Sequence, residues 1–311
     1  MSGGGSAPVL EPALLAWAVA ELGGDDPAGA RVTGLREGGS PWRLQLADGT
    51  AGVLRVVPAE AGDRLETEVA ALAVGAAHGL PVPRLLAADL AGAVAPGRLA
   101  VLTTALPGTS RAAGGPPAPA RFRTLGRLAA TIAAVPAPAP SPVLPQRTRP
   151  IPDVDFAALR RAARPRPLLE AAEETLDEQV PPSRPPVFVH GDLWQGNVLW
   201  NGPGDAPPSG VVDWDGAGVG PAGVDLGSLR CDAAMTTGTK AAAAVLAGYE
   251  DVLGRPADDV AYWDVVAALS TPPEVDWFTD AIRDQGRPDL DQPTLLRRRD
   301  AFLRAALDRL V

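Results

Sequence analysis

One segment, residues 187–200, constrains the fold more than any other part of the chain. Its apolar start leads into a polar loop, and a second apolar run follows that loop. Another short apolar run, residues 210–212, precedes two further acidic residues. Short apolar runs bounded by glycine and acidic residues are typical of strands. We therefore expect strand ends to bring four polar side chains to one place: Asp192, Asn197, Asp213 and Asp215.

The chemistry of these side chains predicts a magnesium site. Asp and Asn oxygens are hard ligands, which suit Mg²⁺ better than zinc or copper. Mg²⁺ held by one or two protein carboxylates completes its shell with water and substrate phosphates, so the set favours phosphoryl transfer. A nearby Asp can accept the proton of an attacking hydroxyl. The spacing supplies a base at Asp192, an amide at Asn197 and a carboxylate at Asp213, while Asp215 is either a second metal contact or a solvated carboxylate.

The composition narrows the class of protein. The 311-residue chain has a formal net charge of −9, which argues against a nucleic-acid binder and is compatible with a cationic or neutral small-molecule partner. A single cysteine, Cys231, excludes an internal disulfide framework, and two histidines exclude a His-rich zinc site. The N-terminus lacks a basic signal-peptide region, and no apolar run reaches the length of a membrane span. We expect a cytoplasmic protein without a membrane partner, as a monomer or a weak dimer.

The order of predicted elements indicates an α+β fold with two lobes. Helical spacing over residues 11–22 and 63–77 predicts two helices. Five short apolar runs predict the strands of one sheet, at residues 32–36, 42–47, 51–57, 84–88 and 98–103. Beyond residue 153 the chain is mostly helical. We place the boundary so that a β-rich nucleotide-binding lobe covers residues 1–105 and a helical catalytic and acceptor-binding lobe covers residues 106–311.

The loop motif His-Gly-Asp-x-x-x-x-Asn at residues 190–197, with the later Asp-Trp-Asp, resembles the aminoglycoside phosphotransferase and choline kinase-like family, relatives of protein kinases. Looser similarity extends over almost the whole chain, for example at residues 38–40, 79–83 and 220–226. The resemblance implies a bilobal kinase-like fold, with Mg²⁺ and with ATP or GTP bound between the lobes near residues 103–106.

The resemblance also implies a reaction. It is the transfer of the nucleotide γ-phosphate to a hydroxyl of a small molecule, and an aminoglycoside-type or other antibiotic is favoured, in which case the chain would confer resistance. A metabolic acceptor such as an amino alcohol, sugar or amino acid is the alternative.

Residue roles follow from the same resemblance. Asp192 is the catalytic base, His190 supports its loop, and Asn197 and Asp213 hold Mg²⁺. The nucleotide-binding residues that it implies are Gly38, Gly39, Ser40, Arg55, Glu68, Thr104 and Leu106.

Arg55 departs from the kinase pattern, because kinases commonly place Lys at this position. Arg can still bind phosphate oxygens in a bidentate manner, so we interpret it as functional, and a non-catalytic nucleotide-binding protein is the alternative. Its flanking residues indicate a mostly buried strand, where an unpaired charge is costly. Glu68 on the following helix is the expected partner, and Glu66 is the second choice.

Residues 218–223 fit the dinucleotide pattern G-x-G-x-x-G and follow a predicted strand. No acidic residue lies at positions 233–249, where a ribose-binding carboxylate would be expected, and residues 240–253 indicate a helix. An oxidoreductase is therefore the weaker hypothesis. Asp225 either caps the next helix or anchors a loop.

The acceptor site is expected in the helical lobe. Carboxylates beside an aromatic surface would suit a cationic acceptor, and the candidates are Asp232, Glu274, Asp276, Trp277 and Asp280. The alternative is that these residues form a solvated helix face.

Overall fold

The computed structural model describes residues 10–35, 40–111, 117–139, 141–202 and 207–310. The chain divides into two compact units, Met1–Leu106 and Pro107–Val311. The sequence predicts nucleotide binding for the first of these parts, and catalysis with acceptor binding for the second. Among the described helices, none combines the length and the apolar character needed to cross a membrane.

An antiparallel five-stranded sheet forms the centre of the first unit, as the sequence predicts. The strands lie in the order β1-β2-β3-β5-β4. They are β1 (Arg31–Gly34), β2 (Trp42–Gln45), β3 (Ala51–Pro58), β4 (Leu85–Asp89) and β5 (Arg98–Thr104). The turn between β2 and β3 is closed by Asp48, whose carboxylate accepts the Thr50 N–H at 2.8 Å. In the pairing of β3 with β5, Arg55 lies opposite Val101.

Two helices, α1 (Pro12–Glu21) and α2 (Gly62–Ala77), contribute the other apolar surfaces of this unit. Leu54 of β3 belongs to a buried cluster that includes Leu14 of α1. Val101 belongs to a second cluster with Leu65 of α2. Because successive side chains of a strand point to opposite faces, Arg55 lies on the face that α2 covers, which is where its predicted partner is located.

The second unit is mainly helical. Its helices are α3 (Pro119–Ala133), α4 (Phe156–Ala162), α5 (Pro167–Asp177), α6 (Gly223–Thr236), α7 (Thr239–Leu253), α8 (Val260–Leu269), α9 (Asp276–Asp284) and α10 (Gln292–Leu310). A buried ion pair joins α6 to α8, since Arg230 Nε and Nη2 each lie 2.8 Å from a carboxylate oxygen of Asp264. Arg309 of α10 contacts the same carboxylate at 2.9 Å. Three helices are thus held around one buried charge.

Two small antiparallel sheets of the second unit position the polar loops that carry Asp192 and Asp213. The strands are β6 (Val187–Val189), β7 (Val198–Trp200), β8 (Pro208–Val211) and β9 (Gly218–Gly220), and they pair as β6–β9 and β7–β8. The Val212 N–H donates to the Asn197 carbonyl at 2.9 Å. The loop after β6 and the turn after β8 therefore lie side by side, as expected from the sequence.

Strand β9 does not fit the dinucleotide interpretation of residues 218–223. In that fingerprint the glycines form the turn between strand and helix. Here Gly218 and Gly220 lie within a strand that pairs with β6, and α6 begins only at Gly223.

Candidate active site

The loop over residues 190–197 follows a tight path that requires glycine at its second position. Gly191 has a φ of +80°, and a Cβ at this position would lie 2.0 Å from the Gly216 carbonyl oxygen. A larger residue could not fit without moving the backbone. The loop and the turn at residues 214–216 are thus in direct backbone contact.

Asp225, in the first turn of α6, anchors the start of this loop. Its carboxylate accepts the N–H groups of His190 and Gly191 at 2.7 and 2.9 Å, and the residue is 2 % exposed. Burial raises the pKa of Asp225, and the two N–H donors oppose that rise. Of the two roles that the sequence left open for Asp225, the structure shows the loop anchor.

His190 is fully buried and links the loop to the end of β8. Its Nε2 lies 3.0 Å from the Val212 carbonyl, and its Nδ1 accepts the Asp192 N–H at 3.3 Å. These partners require the tautomer that carries hydrogen on Nε2. The ring packs on Trp214 at a centroid distance of 4.5 Å. This arrangement suits the supporting role that the resemblance implies.

Asp192 and Asn197 lie together within the loop. The Asn197 side-chain nitrogen donates to the Asp192 carbonyl at 2.9 Å and lies 3.5 Å from the Asp192 carboxylate. Because that nitrogen is engaged, the carbonyl oxygen Oδ1 is the atom of Asn197 suited to a cation. Asn197 is 3 % exposed, whereas Asp192 is half-buried.

Asp213 and Asp215 follow β8 on a turn of unusual backbone geometry. Asp213 adopts the left-handed conformation with φ 66° and ψ 57°, which costs energy for a residue other than glycine. Asp215 is 6 % exposed, so the alternative that it is a solvated carboxylate is wrong.

The carboxylates in this region influence each other electrostatically. Burial raises the pKa of Asp192 well above its ordinary value, and the negative charges of Asp213 and Asp215 raise it further. The hydrogen bond from Asn197 opposes the rise. A cation bound here would offset this accumulated negative charge.

The donor set fits a hard divalent cation with few protein ligands. Across the described ranges, no group of three or more His, Cys, Asp or Glu side chains is arranged to hold a metal ion. Mg²⁺ does not require such a group, because it usually keeps several waters and takes one or two carboxylates. The amide oxygen of Asn197 and the carboxylates of Asp213 and Asp215 are hard oxygen donors of the kind that Mg²⁺ takes.

In the first unit, Arg55 and Glu68 form the predicted ion pair. Arg55 Nη1 lies 3.1 Å from Glu68 Oε2, and the two side chains are 20 % and 12 % exposed. The sequence-based choice of Glu68 over Glu66 is therefore confirmed, and the exposed side chain of Glu66 agrees with it.

The other candidate nucleotide residues lie at strand ends. The Ser40 hydroxyl donates to the Val56 carbonyl at 3.0 Å and lies 3.1 Å from the Val56 nitrogen. Thr104 ends β5 and accepts the Arg84 N–H at 2.9 Å, and the half-buried Leu106 closes the first unit. Gly38 and Gly39 lie outside the described residues.

The second unit contains a cavity of about 130 Å³, and only some of the acceptor candidates line it. Asp232 and Trp277 line it together with Asp192. Glu274 contacts Arg166 at 3.4 Å instead. Asp276 and Asp280 are exposed on α9 and do not line the cavity, so for them the solvated helix face describes the structure.

Sequence reasoning missed several residues that shape this cavity. Trp194, Phe278 and Met235 line it, and Gln195 contacts the Asp232 carboxylate through its backbone N–H at 3.3 Å. The amphipathic pattern of α9 was a usable signal for Phe278. The contact between Gln195 and Asp232 joins residues 37 positions apart, and no local pattern encodes it.

Comparison with known proteins places the chain in a family. A sequence model of the phosphotransferase enzyme family matches residues 31–269. No curated protein matches the chain at a significant level.

Three solved structures illustrate the likeness in fold. Macrolide 2′-phosphotransferase MphH from Brachybacterium faecium is 19 % identical, covers 90 % of this chain and 100 % of its own, and gives a TM-score of 0.63. Amicoumacin kinase hAmiN, solved with AMP-PNP and Ca²⁺, is 15 % identical, with coverages of 90 % and 87 % and a TM-score of 0.56. Aminoglycoside phosphotransferase APH(3″)-Id from Streptomyces rimosus, solved with ADP and streptomycin, is 18 % identical, with coverages of 82 % and 97 % and a TM-score of 0.52.

These structures confirm the predicted α+β, protein kinase-like fold. The prediction of a phosphotransferase is confirmed by the family match, which includes the loop that carries Asp192. Because this match covers most of its length, the chain belongs to the phosphotransferase enzyme family.

Proposed function

We propose that this phosphotransferase moves the γ-phosphate of a nucleoside triphosphate to a hydroxyl of a small-molecule acceptor, with Mg²⁺ as the metal. The observation that carries the proposal is the position of Asp192, which lines a cavity and also lies beside Asn197. One carboxylate is therefore next to both an acceptor-sized space and a metal-type donor.

In the proposed reaction, Asp192 accepts the proton of the acceptor hydroxyl. The acceptor oxygen forms a bond to the γ-phosphorus, and the bond from that phosphorus to the bridging oxygen breaks, so that the nucleoside diphosphate leaves. General-base catalysis by a carboxylate in this position typically contributes ~10²–10⁴-fold to the rate. His190 and Asp225 hold the backbone of the loop, so the base keeps its position without rearrangement.

We assign the metal to Asn197 Oδ1 and the Asp213 carboxylate, with Asp215 as a further candidate. Mg²⁺ bound there would neutralise charge on the phosphate oxygens. The complexes of the amicoumacin kinase with AMP-PNP and Ca²⁺, and of APH(3″)-Id with ADP, support a nucleotide and a divalent cation in this kind of enzyme.

For the nucleotide we propose Arg55, held by Glu68, as the group that contacts phosphate oxygens. Ser40, Thr104 and Leu106 are further proposed contacts, as are Gly38 and Gly39. ATP is the proposed donor, and GTP is the alternative that a binding measurement separates.

For the acceptor we propose an antibiotic-type alcohol. The support is that similar structures carry the names of macrolide, amicoumacin and aminoglycoside kinases. A metabolic alcohol is the competing acceptor, and the site geometry on its own favours neither.

The test compares the wild-type chain with Asp192→Ala. Turnover with Mg-ATP is measured across a panel of antibiotic and metabolic alcohols, and protection is measured in a sensitive host. We expect Asp192→Ala to lower turnover by ~10²–10⁴-fold while nucleotide affinity stays nearly constant. Asp284→Asn, an exposed carboxylate of α9, is the matched control and should retain full turnover.

Two results would contradict the proposal. Unchanged turnover in Asp192→Ala would show that this carboxylate is not the base. Nucleotide binding without transfer to any alcohol would favour a non-catalytic binding protein.

A further inference from the structure

The cavity beside Asp192 has a chemical character that the family membership does not dictate. Among the described residues that line it, the charged ones are Asp192 and Asp232. Much of the remaining surface is apolar or aromatic, including Trp194, Met235 and Phe278. The cavity is thus an apolar chamber with two acidic groups.

Of the three hydroxyl side chains among the described lining residues, Ser228, Ser270 and Thr271, two donate to backbone carbonyls. Ser270 donates to the Val266 carbonyl at 2.9 Å, and Thr271 donates to the Ala268 carbonyl at 2.7 Å. With these two donors engaged, Asp232 is the charged group of the described wall, besides the proposed base, that can bind an acceptor.

Asp232 is held in place but lacks a cationic partner. Its Oδ2 accepts the Gln195 N–H at 3.3 Å, and the buried Gln195 side chain donates to Thr236 at 2.9 Å. Within the described part of the chain, no Arg, Lys or His forms an ion pair with Asp232. Burial raises the pKa of Asp232 to about 7. A half-buried carboxylate without a counterion in a ligand cavity is where a single ligand cation would be stabilised.

The part of the wall that α9 contributes is aromatic and apolar, and it offers no charged side chain to a polycation. Trp277 and Phe278 of α9 pack edge to face at a centroid distance of 4.4 Å. The acidic residues of the same helix, Asp276, Asp280 and Asp284, are exposed and do not line the cavity. Additional ammonium groups placed against this wall would lose water and gain no carboxylate, only the weaker attraction of an aromatic ring face.

The size of the chamber matches one ring. Its volume of about 130 Å³ is close to that of a cavity of about 150 Å³ known to bind benzene. The enclosed part can therefore hold one six-membered ring with its substituents.

Resting on the proposed function, we propose that the acceptor carries a single protonated amine on an otherwise apolar ring next to its reactive hydroxyl. Asp232 binds the ammonium and sets specificity, α9 packs on the apolar face of the ring, and Asp192 faces the hydroxyl. Polycationic sugars are then poor ligands of this cavity.

The experiment measures calorimetric affinities of the full chain saturated with Mg-AMP-PNP. The probes are trans-2-(dimethylamino)cyclohexanol, its uncharged carbon isostere trans-2-isopropylcyclohexanol, and the polycation kanamycin. We expect the monoamine to bind about tenfold more tightly than either other probe. In Asp232→Asn the monoamine and its isostere should bind within about threefold of each other. Trp277→Ala should weaken both by a similar factor, and Asp284→Asn should change neither.

The outcomes distinguish a failure of the acceptor inference from a failure of the proposed function. Tighter binding of kanamycin, absence of monoamine binding, or an unchanged ratio in Asp232→Asn would overturn the acceptor inference while the kinase proposal stands. Failure of the wild-type chain to bind Mg-AMP-PNP would overturn the proposed function itself. Thermal denaturation of each variant verifies that it is folded.

Discussion

The carboxylate of Asp225 fixes the backbone of the loop that carries the proposed base. It accepts two N–H groups from residues 34 and 35 positions earlier in the chain. Both donors would be unsatisfied without it, and a buried unsatisfied donor costs about 1–3 kcal/mol. Asp225 is therefore a positioning residue for Asp192.

Asp225→Asn tests this role. The amide keeps one acceptor oxygen but turns an NH₂ group toward the second N–H, so we expect a loss of roughly 1–3 kcal/mol in the free energy of unfolding. Turnover should fall by about tenfold while the nucleotide Kd changes little, because the base and not the nucleotide site is displaced. Urea denaturation, turnover and calorimetry measure these quantities. A variant with normal stability and normal turnover would refute the anchoring role.

Asp232 predicts a pH dependence of stability. Its pKa is raised to about 7 in the folded chain, from 3.8 when unfolded. In the folded chain the Asp232 carboxyl therefore keeps its proton to higher pH than in the unfolded chain. The stability that this group contributes is present below about pH 4 and is lost as the pH rises through about 7. Because an amide does not titrate, the Asp232→Asn variant should not lose stability in this way as the pH rises.

The free energy of unfolding of Asp232→Asn and wild type is measured by urea denaturation from pH 4 to pH 8. We expect the variant to be more stable than wild type by roughly 1–3 kcal/mol at pH 8, with the difference vanishing near pH 4. A pH-independent difference would show that the carboxylate titrates normally.

At the scale of elements, β9 shows why part of the fold was not predictable. Gly218 and Gly220 have weak strand propensity, and the pattern of residues 218–223 resembles a nucleotide-binding turn. They form a strand because they pair with β6, and residues 145–147 also lie against them, where a Cβ on Gly220 would be 2.1 Å from the Arg147 carbonyl oxygen. The Arg147 N–H donates to the Val219 carbonyl at 2.8 Å. This contact spans more than 70 residues and leaves no local signal.

The elements that were predicted carry their own local signals. The sheet of the first unit follows from alternating short apolar runs, and α2 follows from helical spacing. Asp192 and Asn197 lie in one loop between two apolar runs, so their proximity could be predicted from the sequence. The acceptor cavity could not be predicted, because residues of α6, α8 and α9 combine to form it. Only the tertiary packing of these helices decides which of their residues face inward.

The ion pair between Arg55 of β3 and Glu68 of α2 leads to a prediction about nucleotide binding. If Glu68 acts by holding Arg55, the variants Arg55→Gln, Glu68→Gln and the double variant should be non-additive in the Kd for Mg-AMP-PNP. We expect Arg55→Gln to weaken binding about tenfold, and Glu68→Gln to add little in its presence. Calorimetry measures the four affinities, with the exposed Arg31→Ala of β1 as control. Additive effects would show that the two residues act independently.

At the scale of the whole molecule, charge sets a requirement for the nucleotide. The chain has a formal net charge of −9, and three acidic residues lie in the proposed phosphate region. A nucleoside triphosphate is itself highly anionic, so the protein repels it unless a cation compensates. The metal should therefore be needed for binding as well as for catalysis.

This requirement predicts how ligands change the stability of the full chain. A ligand that binds only the folded state at 100 times its Kd adds about 2.7 kcal/mol to the free energy of unfolding. We expect Mg-AMP-PNP at that level to give this increase, and the same nucleotide with EDTA to give less than about 1 kcal/mol, since we expect loss of the cation to weaken affinity by at least about thirtyfold. Asp213→Asn should lose most of the increase even with Mg²⁺, whereas Asp284→Asn should retain it. Chemical denaturation with and without each ligand provides the measurement. Equal stabilisation by metal-free and metal-bound nucleotide would remove the metal from the binding step and leave the carboxylates after β8 without their proposed role.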